Sequence, residues 1–206
     1  MASRIYTIDS QSDYAAAVRE AAACLAGGGL VIFPTETVYG IGAQATNPKA
    51  LARLREVKGR SDDKPFTVHI GSRSAVTRFV PNLSGVARRL TEKAWPGPLT
   101  VIFDVPEAEN APVIQESSPE HTASMYHAGT IGIRCPDNYV ASEILNLAGV
   151  PVVAASANPA GAPAPVTAEE ALAALDGKVD LVIDAGRTRY AKASTIVHVR
   201  SDGYEI

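Results

Sequence analysis

The stretch that most constrains this chain is Gly29-Leu30-Val31-Ile32-Phe33-Pro34-Thr35-Glu36-Thr37-Val38-Tyr39-Gly40-Ile41-Gly42. Its apolar opening is too short for a helix and suits a buried strand. Pro34 has no N–H to give a sheet ladder, so the chain leaves the sheet there. The hydroxyls of Thr35, Thr37 and Tyr39 then stand at a strand's carboxyl end, where ligands of α/β folds commonly bind. The expectation is a central strand followed by a functional loop.

With 206 residues, 46% of them hydrophobic and 20% charged, the chain can bury one substantial core, and it reads as a single domain over 1–206. A formal net charge of −3 argues against a protein that coats nucleic acid, so functional cationic character must be local. Cys24 lies in a helical pattern and Cys135 just after a strand pattern; they suggest no disulfide framework and fit a reducing cytoplasm. The amino terminus lacks an apolar signal region, and no apolar run reaches bilayer length. A cytoplasmic protein with no membrane partner is expected.

Ser12 is the expected N-cap of a helix carrying Tyr14, Val18, Ala22 and Leu25, ended by Gly27 to Gly29. Asn47-Pro48 opens a second helix with Leu51, Leu54 and Val57 inward, and Gly59 stops it. Around that stop, Lys58, Arg60 and Lys64 crowd a loop before the strand Phe66 to Ile70, where flexible cations can converge on a polyphosphate. A third helix with Leu83, Val86, Leu90 and Ala94 inward leads through Trp95-Pro96-Gly97-Pro98 into the strand Leu99 to Phe103.

Pro106 to Ala128 is polar and without period, and reads as a long surface loop or mobile lid. Its His121, His127, Glu116 and Glu120 lack tight ligand spacing, so no protein-ligated metal is expected. Thr130 to Arg134 is a strand leaving at Cys135-Pro136, and Arg134 is either an edge charge or a clamp for carboxylate or phosphate. Asn138 caps a helix with Val140, Ile144 and Leu147 inward. Pro151 to Ala155 is a further core strand running into Ser156-Ala157-Asn158-Pro159-Ala160-Gly161, whose small residues let backbone amides approach an anion or simply make a turn.

Thr167 and Glu170 have capping-box spacing, and Leu181 to Asp184 and Ser194 to Val197 add two strands. Alternating strands and helices favour an α/β or α+β layered fold. No phosphate loop, dinucleotide fingerprint or nucleophile elbow is present, so covalent catalysis is not indicated. What recurs is strands ending in hydroxyls or cations: Thr37, Lys64, His69, Arg134, Ser156 and Ser194. Brought together, these would suit a phosphorylated ligand beside a small polar one.

Six segments in order resemble the YrdC-like family of threonylcarbamoyl-AMP synthases: Pro34 to Gly40, Lys58-Gly59-Arg60 with Lys64-Pro65 and Val68-His69, Trp95 to Thr100, Gly132 to Pro136, Ser156-Ala157-Asn158 with Gly161, and Ser194 to Val197. The resemblance implies a twisted mixed sheet with flanking helices around a positively charged concave pocket. It also implies a nucleotidyltransferase that makes threonylcarbamoyl-AMP and pyrophosphate from L-threonine, bicarbonate or CO2, and ATP, for N6-threonylcarbamoyladenosine in tRNA. Carried over by motif, Lys58, Arg60 and Lys64 would hold ATP phosphates, with Lys58 and Arg60 as catalytic cations, and Thr130, Ser156 and Asn158 would place the nucleotide. Thr37, His69, Arg134, Ser194 and the backbone of Ala154 would hold threonine.

Magnesium would arrive with ATP, and a threonylcarbamoyl-transferase complex would take the product. Ala160, Ala185 and Ala193 depart from the family pattern, and the chain resembles the short form without an extra C-terminal domain. Two alternatives accompany this implied function: a double-stranded RNA or tRNA-binding module, and a carbamoyl-adenylating domain of the same fold. His69 and Ser194 favour threonine.

Overall fold

The computed structural model describes residues 2–9, 13–59, 65–200 and 203–206. The strands are β1 Arg4–Thr7, β2 Val31–Phe33, β3 Gly40–Gln44, β4 Thr67–His69, β5 Leu99–Asp104, β6 Thr130–Arg134, β7 Val152–Ser156, β8 Leu181–Asp184, β9 Thr195–Val199 and β10 Tyr204–Glu205. The helices are α1 Tyr14–Ala26, α2 Pro48–Lys58, α3 Gly85–Ala94, α4 Pro112–Gln115, α5 Thr122–Met125, α6 Tyr139–Leu147 and α7 Ala168–Leu175. All described strands join one mixed sheet in the order β1-β8-β2-β3-β7-β4-β6-β5-β9-β10. This is the twisted mixed α/β sheet with flanking helices that was expected. No described helix is long and apolar enough to cross a membrane.

Local chemistry sets most helix ends. Asn47 Oδ1 accepts from the N–H groups of Lys49 and Ala50, Pro48 occupies the first turn, and Gly59 closes α2 at φ 57°, a left-handed conformation that suits glycine. Helix α1 is capped by Asp13, whose side chain accepts from the Ala16 N–H; the expected cap, Ser12, lies outside the described residues. Leu147 was expected to face inward and is 55% exposed. Helix α6 buries Val140, Ala141, Ile144 and Leu145, so its apolar stripe turns away from position 147. Three strands were not foreseen: β1 and β10 at the sheet's edges, and β3, whose glycines conceal a strand.

The two faces of the sheet are covered unequally. One face packs throughout: Ile41, Val68, Val101, Ile133 and Val153 share a core with α2, α3, α7 and the segment after β5. On the other face, Val31, Phe33, Val152, Ala154, Leu181 and Ile183 pack under α1 and α6. Strand alternation continues that second face onto β4, β6, β5 and β9 as Thr67, His69, Gly132, Arg134, Thr100, Ile102 and Ile196. None of these belongs to the core under α1 and α6, and Ile196 is 56% exposed. Half of one sheet face is therefore left open by these helices and is mostly polar, with Thr100 and Arg134 there still buried.

The stretch from Pro106 to Ala128 is not the mobile lid expected. Ala108, Ala111, Val113, Ile114, Met125 and Tyr126 are buried in the larger core. The Tyr126 hydroxyl, buried with its pKa raised by desolvation, donates to the Phe79 carbonyl at 2.7 Å. The segment folds as α4, α5 and short 3-10 turns, and elements of three or four residues are too short to show a period in sequence. Glu116 pairs with Arg78 at 2.5 Å rather than joining a metal cluster. Truncating Ile114 to Ala should therefore lower unfolding free energy by about 2–5 kcal/mol in urea melts, whereas a detached lid would leave it within about 0.5 kcal/mol.

Candidate functional site

The chain leaves β2 at Pro34 and turns at once into buried polar ground: Thr35, Glu36 and Thr37 are 3%, 2% and 1% exposed. Thr35 organises this turn. Its hydroxyl donates to the Val38 carbonyl at 2.6 Å, and its oxygen accepts from the N–H groups of Thr37 and Val38. Because that single proton is committed to Val38, the 2.9 Å contact between Thr35 and Thr37 makes the Thr37 hydroxyl the donor. The lone pairs of Thr37 are left for Arg134, whose Nη2 donates to Thr37 Oγ1 at 2.5 Å.

Arg134 ends β6 with 5% of its surface exposed. Its Nη2 also lies 3.0 Å from Glu36 Oε2. Neither carboxylate oxygen of Glu36 has a hydrogen-bond partner among the described residues, nor does the buried Arg134 Nε. The pair is thus held by charge, not by aligned hydrogen bonds, and among the described residues the contacts of the guanidinium run through Nη2. Glu36 was visible in the motif but was given no role by the sequence. The available signal was a lone carboxylate between two threonines, next to an unassigned strand-end arginine elsewhere in the chain.

His69 lies beside Arg134, paired with it in the parallel β4/β6 register. Its Nδ1–H donates to the Thr67 carbonyl at 3.1 Å, which sets the tautomer and leaves the Nε2 lone pair without a partner among the described residues. Burial and the neighbouring Arg134 charge depress its pKa from 6.5 to about 3 despite that hydrogen bond. Ser194 shares a 2.9 Å hydroxyl contact with Thr100, whose register partner is also Arg134. Thr37, His69, Arg134 and Ser194 are therefore brought to one region. Ala154 is placed differently: it lies between Gly42 and Thr67 in β7, flanked by a strand on each side, with its methyl in the core under α1 and α6.

A second cluster forms around Lys58, which is 5% exposed. Its ammonium donates to the carbonyls of Ser156, at 2.5 Å, and Asn158, with Asn158 Oδ1 at 3.4 Å. Asn158 Nδ2 in turn donates to the carbonyls of Pro159 and Ala162, so one lysine and one asparagine shape the loop after β7. The two clusters are joined where the Ala157 N–H donates to the Tyr39 carbonyl at 2.9 Å. Thr130 lies at the opposite end of β6 from Arg134, the end that the register across β4 shares with Ser156 of β7, and its hydroxyl donates to the His127 carbonyl. Arg60 and Lys64 lie outside the described residues.

The depressed His69 pKa gives a directional expectation. The unfolded chain takes up a proton near pH 6.5 and the folded one only near 3, so this contribution to stability is complete above 6.5 and lost as pH falls towards 3. Urea melts from pH 4 to 7 should show a steeper decline for the native chain than for His69→Gln. Parallel pH profiles would contradict the assignment.

The Sua5/YciO/YrdC family model, described as Telomere recombination, matches residues 23–206. The chain is 37% identical over 186 residues to the threonylcarbamoyl-AMP synthase of Bacillus subtilis (strain 168), covering 90% of this chain and 51% of that protein. It is 34% identical over 180 residues to the synthase of Pyrococcus abyssi, covering 87% and 50%. The chain spans about half the length of these two relatives. Against the synthase of Chromohalobacter salexigens, identity is 30% over 184 residues, covering 89% and 93%. P. abyssi Sua5 complexed with L-threonine superposes with a TM-score of 0.81 at 32% identity, over 95% of this chain and 54% of that one. E. coli YciO, at 23% identity and the same TM-score over 99% and 94%, shares the fold.

Proposed function

This chain belongs to the Sua5/YciO/YrdC family, and we propose that it is a threonylcarbamoyl-AMP synthase, converting L-threonine, bicarbonate or CO2, and MgATP to threonylcarbamoyl-AMP and pyrophosphate. The observation that carries this reading is Arg134. A nearly buried guanidinium ends a strand beyond the apolar cover of α1 and α6, and its Nε keeps a hydrogen-bonding capacity that no described residue uses. Thr37 holds the guanidinium in place, and His69 beside it supplies a neutral ring acceptor suited to an amino acid's polar groups. The P. abyssi relative, solved with L-threonine bound, supports threonine as that amino acid.

The chemistry follows from such a site without a protein nucleophile. The threonine ammonium first gives one proton to solvent or bicarbonate. The free amine then forms an N–C bond to CO2 as one C=O π bond opens onto oxygen, and a second proton leaves the nitrogen to solvent to give the carbamate. A carbamate oxygen then attacks the α-phosphorus of ATP; the new O–P bond forms as the bond to the bridging oxygen breaks, and pyrophosphate leaves with its magnesium. Catalysis in this scheme is positioning and charge stabilisation. Lys58 holds a positive charge beneath the Ser156 to Asn158 loop, whose shape and charge suit the ATP phosphates. By the family resemblance Arg60 and Lys64 add cations for the phosphates, Ser156, Asn158 and Thr130 place the nucleotide, and Ser194 with the Ala154 backbone completes the threonine side. The magnesium ion belongs to the substrate, and the unstable product passes to a transferase acting on tRNA adenosine.

Pyrophosphate release from ATP should require threonine and bicarbonate together. Release with carbamoyl phosphate alone would move the chain to the carbamoyl-adenylating reaction, and salt-sensitive RNA binding with no release in any arm would replace the enzyme reading. Replacing Arg134 by Ala should lower kcat/KM for threonine by about a hundredfold, the scale of losing one buried charged contact. The KM for ATP should change far less.

A further inference from the structure

Phe33 ends β2 on the sheet face under α1 and α6, yet its ring extends across the neighbouring strand. A Cβ at Gly42 would stand 2.8 Å from Phe33 Cε1, and one at Gly40 would stand 3.7 Å from both Cε2 and Cζ. The phenyl ring thus occupies space above β3 that two side chains would otherwise fill. Its edge meets the His69 imidazole, with ring centroids 6.4 Å apart and planes at 77°. Strands β2 and β4 are separated by β3 and β7, three steps or about 14 Å of sheet. Phenyl and imidazole span that distance because Gly40, Gly42 and Ala154 keep the intervening surface low.

We propose that Phe33 is a positioning residue for His69: seated over Gly40 and Gly42, it holds the imidazole so that Nε2 presents its lone pair to the open half-face as a hydrogen-bond acceptor. The use of that acceptor for threonine rests on the synthase reading; the positioning itself does not. Two contacts restrain the ring. The Nδ1–H is held by the Thr67 carbonyl, and the phenyl edge limits rotation while excluding water from one side. Arg134 of β6 is the charged group beside His69, and the turn after β2 brings the buried Glu36 carboxylate to 3.0 Å from that guanidinium. Strand β7 presents Val152 opposite it and Ala154 nearby, and β2 presents Phe33; none of these three is titratable. Desolvation and the guanidinium therefore act together to keep the ring neutral.

The test is the tautomer and titration of His69 in the full-length protein labelled with nitrogen-15, its signals assigned by their loss in His69→Gln. The native chain should show the neutral Nδ1–H form at pH 6. Phe33→Leu, which retains apolar volume but removes the ring edge, should raise the titration midpoint by at least about one pH unit. It should also raise the KM for threonine about tenfold, the scale of one well-aligned hydrogen bond, with little change in the KM for ATP. Phe33→Tyr retains the ring and should restore both values.

An unchanged tautomer and midpoint in Phe33→Leu would overturn the proposal. So would a native His69 that is charged, or protonated on Nε2, at pH 6, an outcome that overturns the proposal even if Phe33→Leu does not fold. The spectra need no turnover. A chain that makes no threonylcarbamoyl-AMP but shows these shifts would refute the synthase reading and leave the positioning role standing.

Discussion

An arginine that is only 5% exposed needs compensation for its charge, and much of the architecture around Arg134 supplies it. In the sheet, β2 and β6 are separated by β3, β7 and β4, about 19 Å of backbone ladder. The Pro34 to Tyr39 connection therefore arcs back over the sheet to place Thr35, Glu36 and Thr37 against a side chain from a distant strand. Turning the loop inward costs its backbone groups their water. Thr35 repairs much of that loss with three local hydrogen bonds, and Glu36 provides the countercharge.

The same loop couples the two halves of the site. Tyr39 receives the Ala157 N–H on its carbonyl, gives its own N–H to Pro165 and sends its hydroxyl to the Gly186 carbonyl, while the Ala185 N–H donates to that hydroxyl. Burial pushes the phenol up to about 12, so it remains a neutral donor through the ordinary pH range. One aromatic residue thereby ties the turn after β2 to the loop shaped by Lys58 and Asn158. Dipoles held in this way are oriented before a ligand arrives, which is the condition under which they stabilise developing charge effectively.

Unequal coverage of the sheet explains why these groups remain reachable. Helices α1 and α6 stop over β7, leaving His69, Arg134 and Thr100 beyond the apolar cover. The opposite face has no such gap, because the Pro106 to Ala128 segment contributes Ile114, Met125 and Tyr126 to its core. That segment could not be recognised from local pattern: its helical turns are too short for a period, and its buried residues are justified only by partners such as Phe79.

Strong local preferences made much of the fold readable from sequence. Apolar runs marked β2, β5, β6, β7 and β8, and Asn47, Asn138, Thr167 and Gly59 marked helix ends because capping chemistry acts within a few residues. The motif segments also identified the family and named the strand-end residues Thr37, His69, Arg134 and Ser194. Sequence did not disclose that β3 is a strand, that Glu36 opposes Arg134, or that Phe33 crosses two glycines to touch His69. Local residue chemistry determines which turns, caps and apolar faces can form; tertiary structure alone decides which of them meet. Strand order and the direction of a buried side chain emerge only when every element competes for the same core and every buried charge must find its partner.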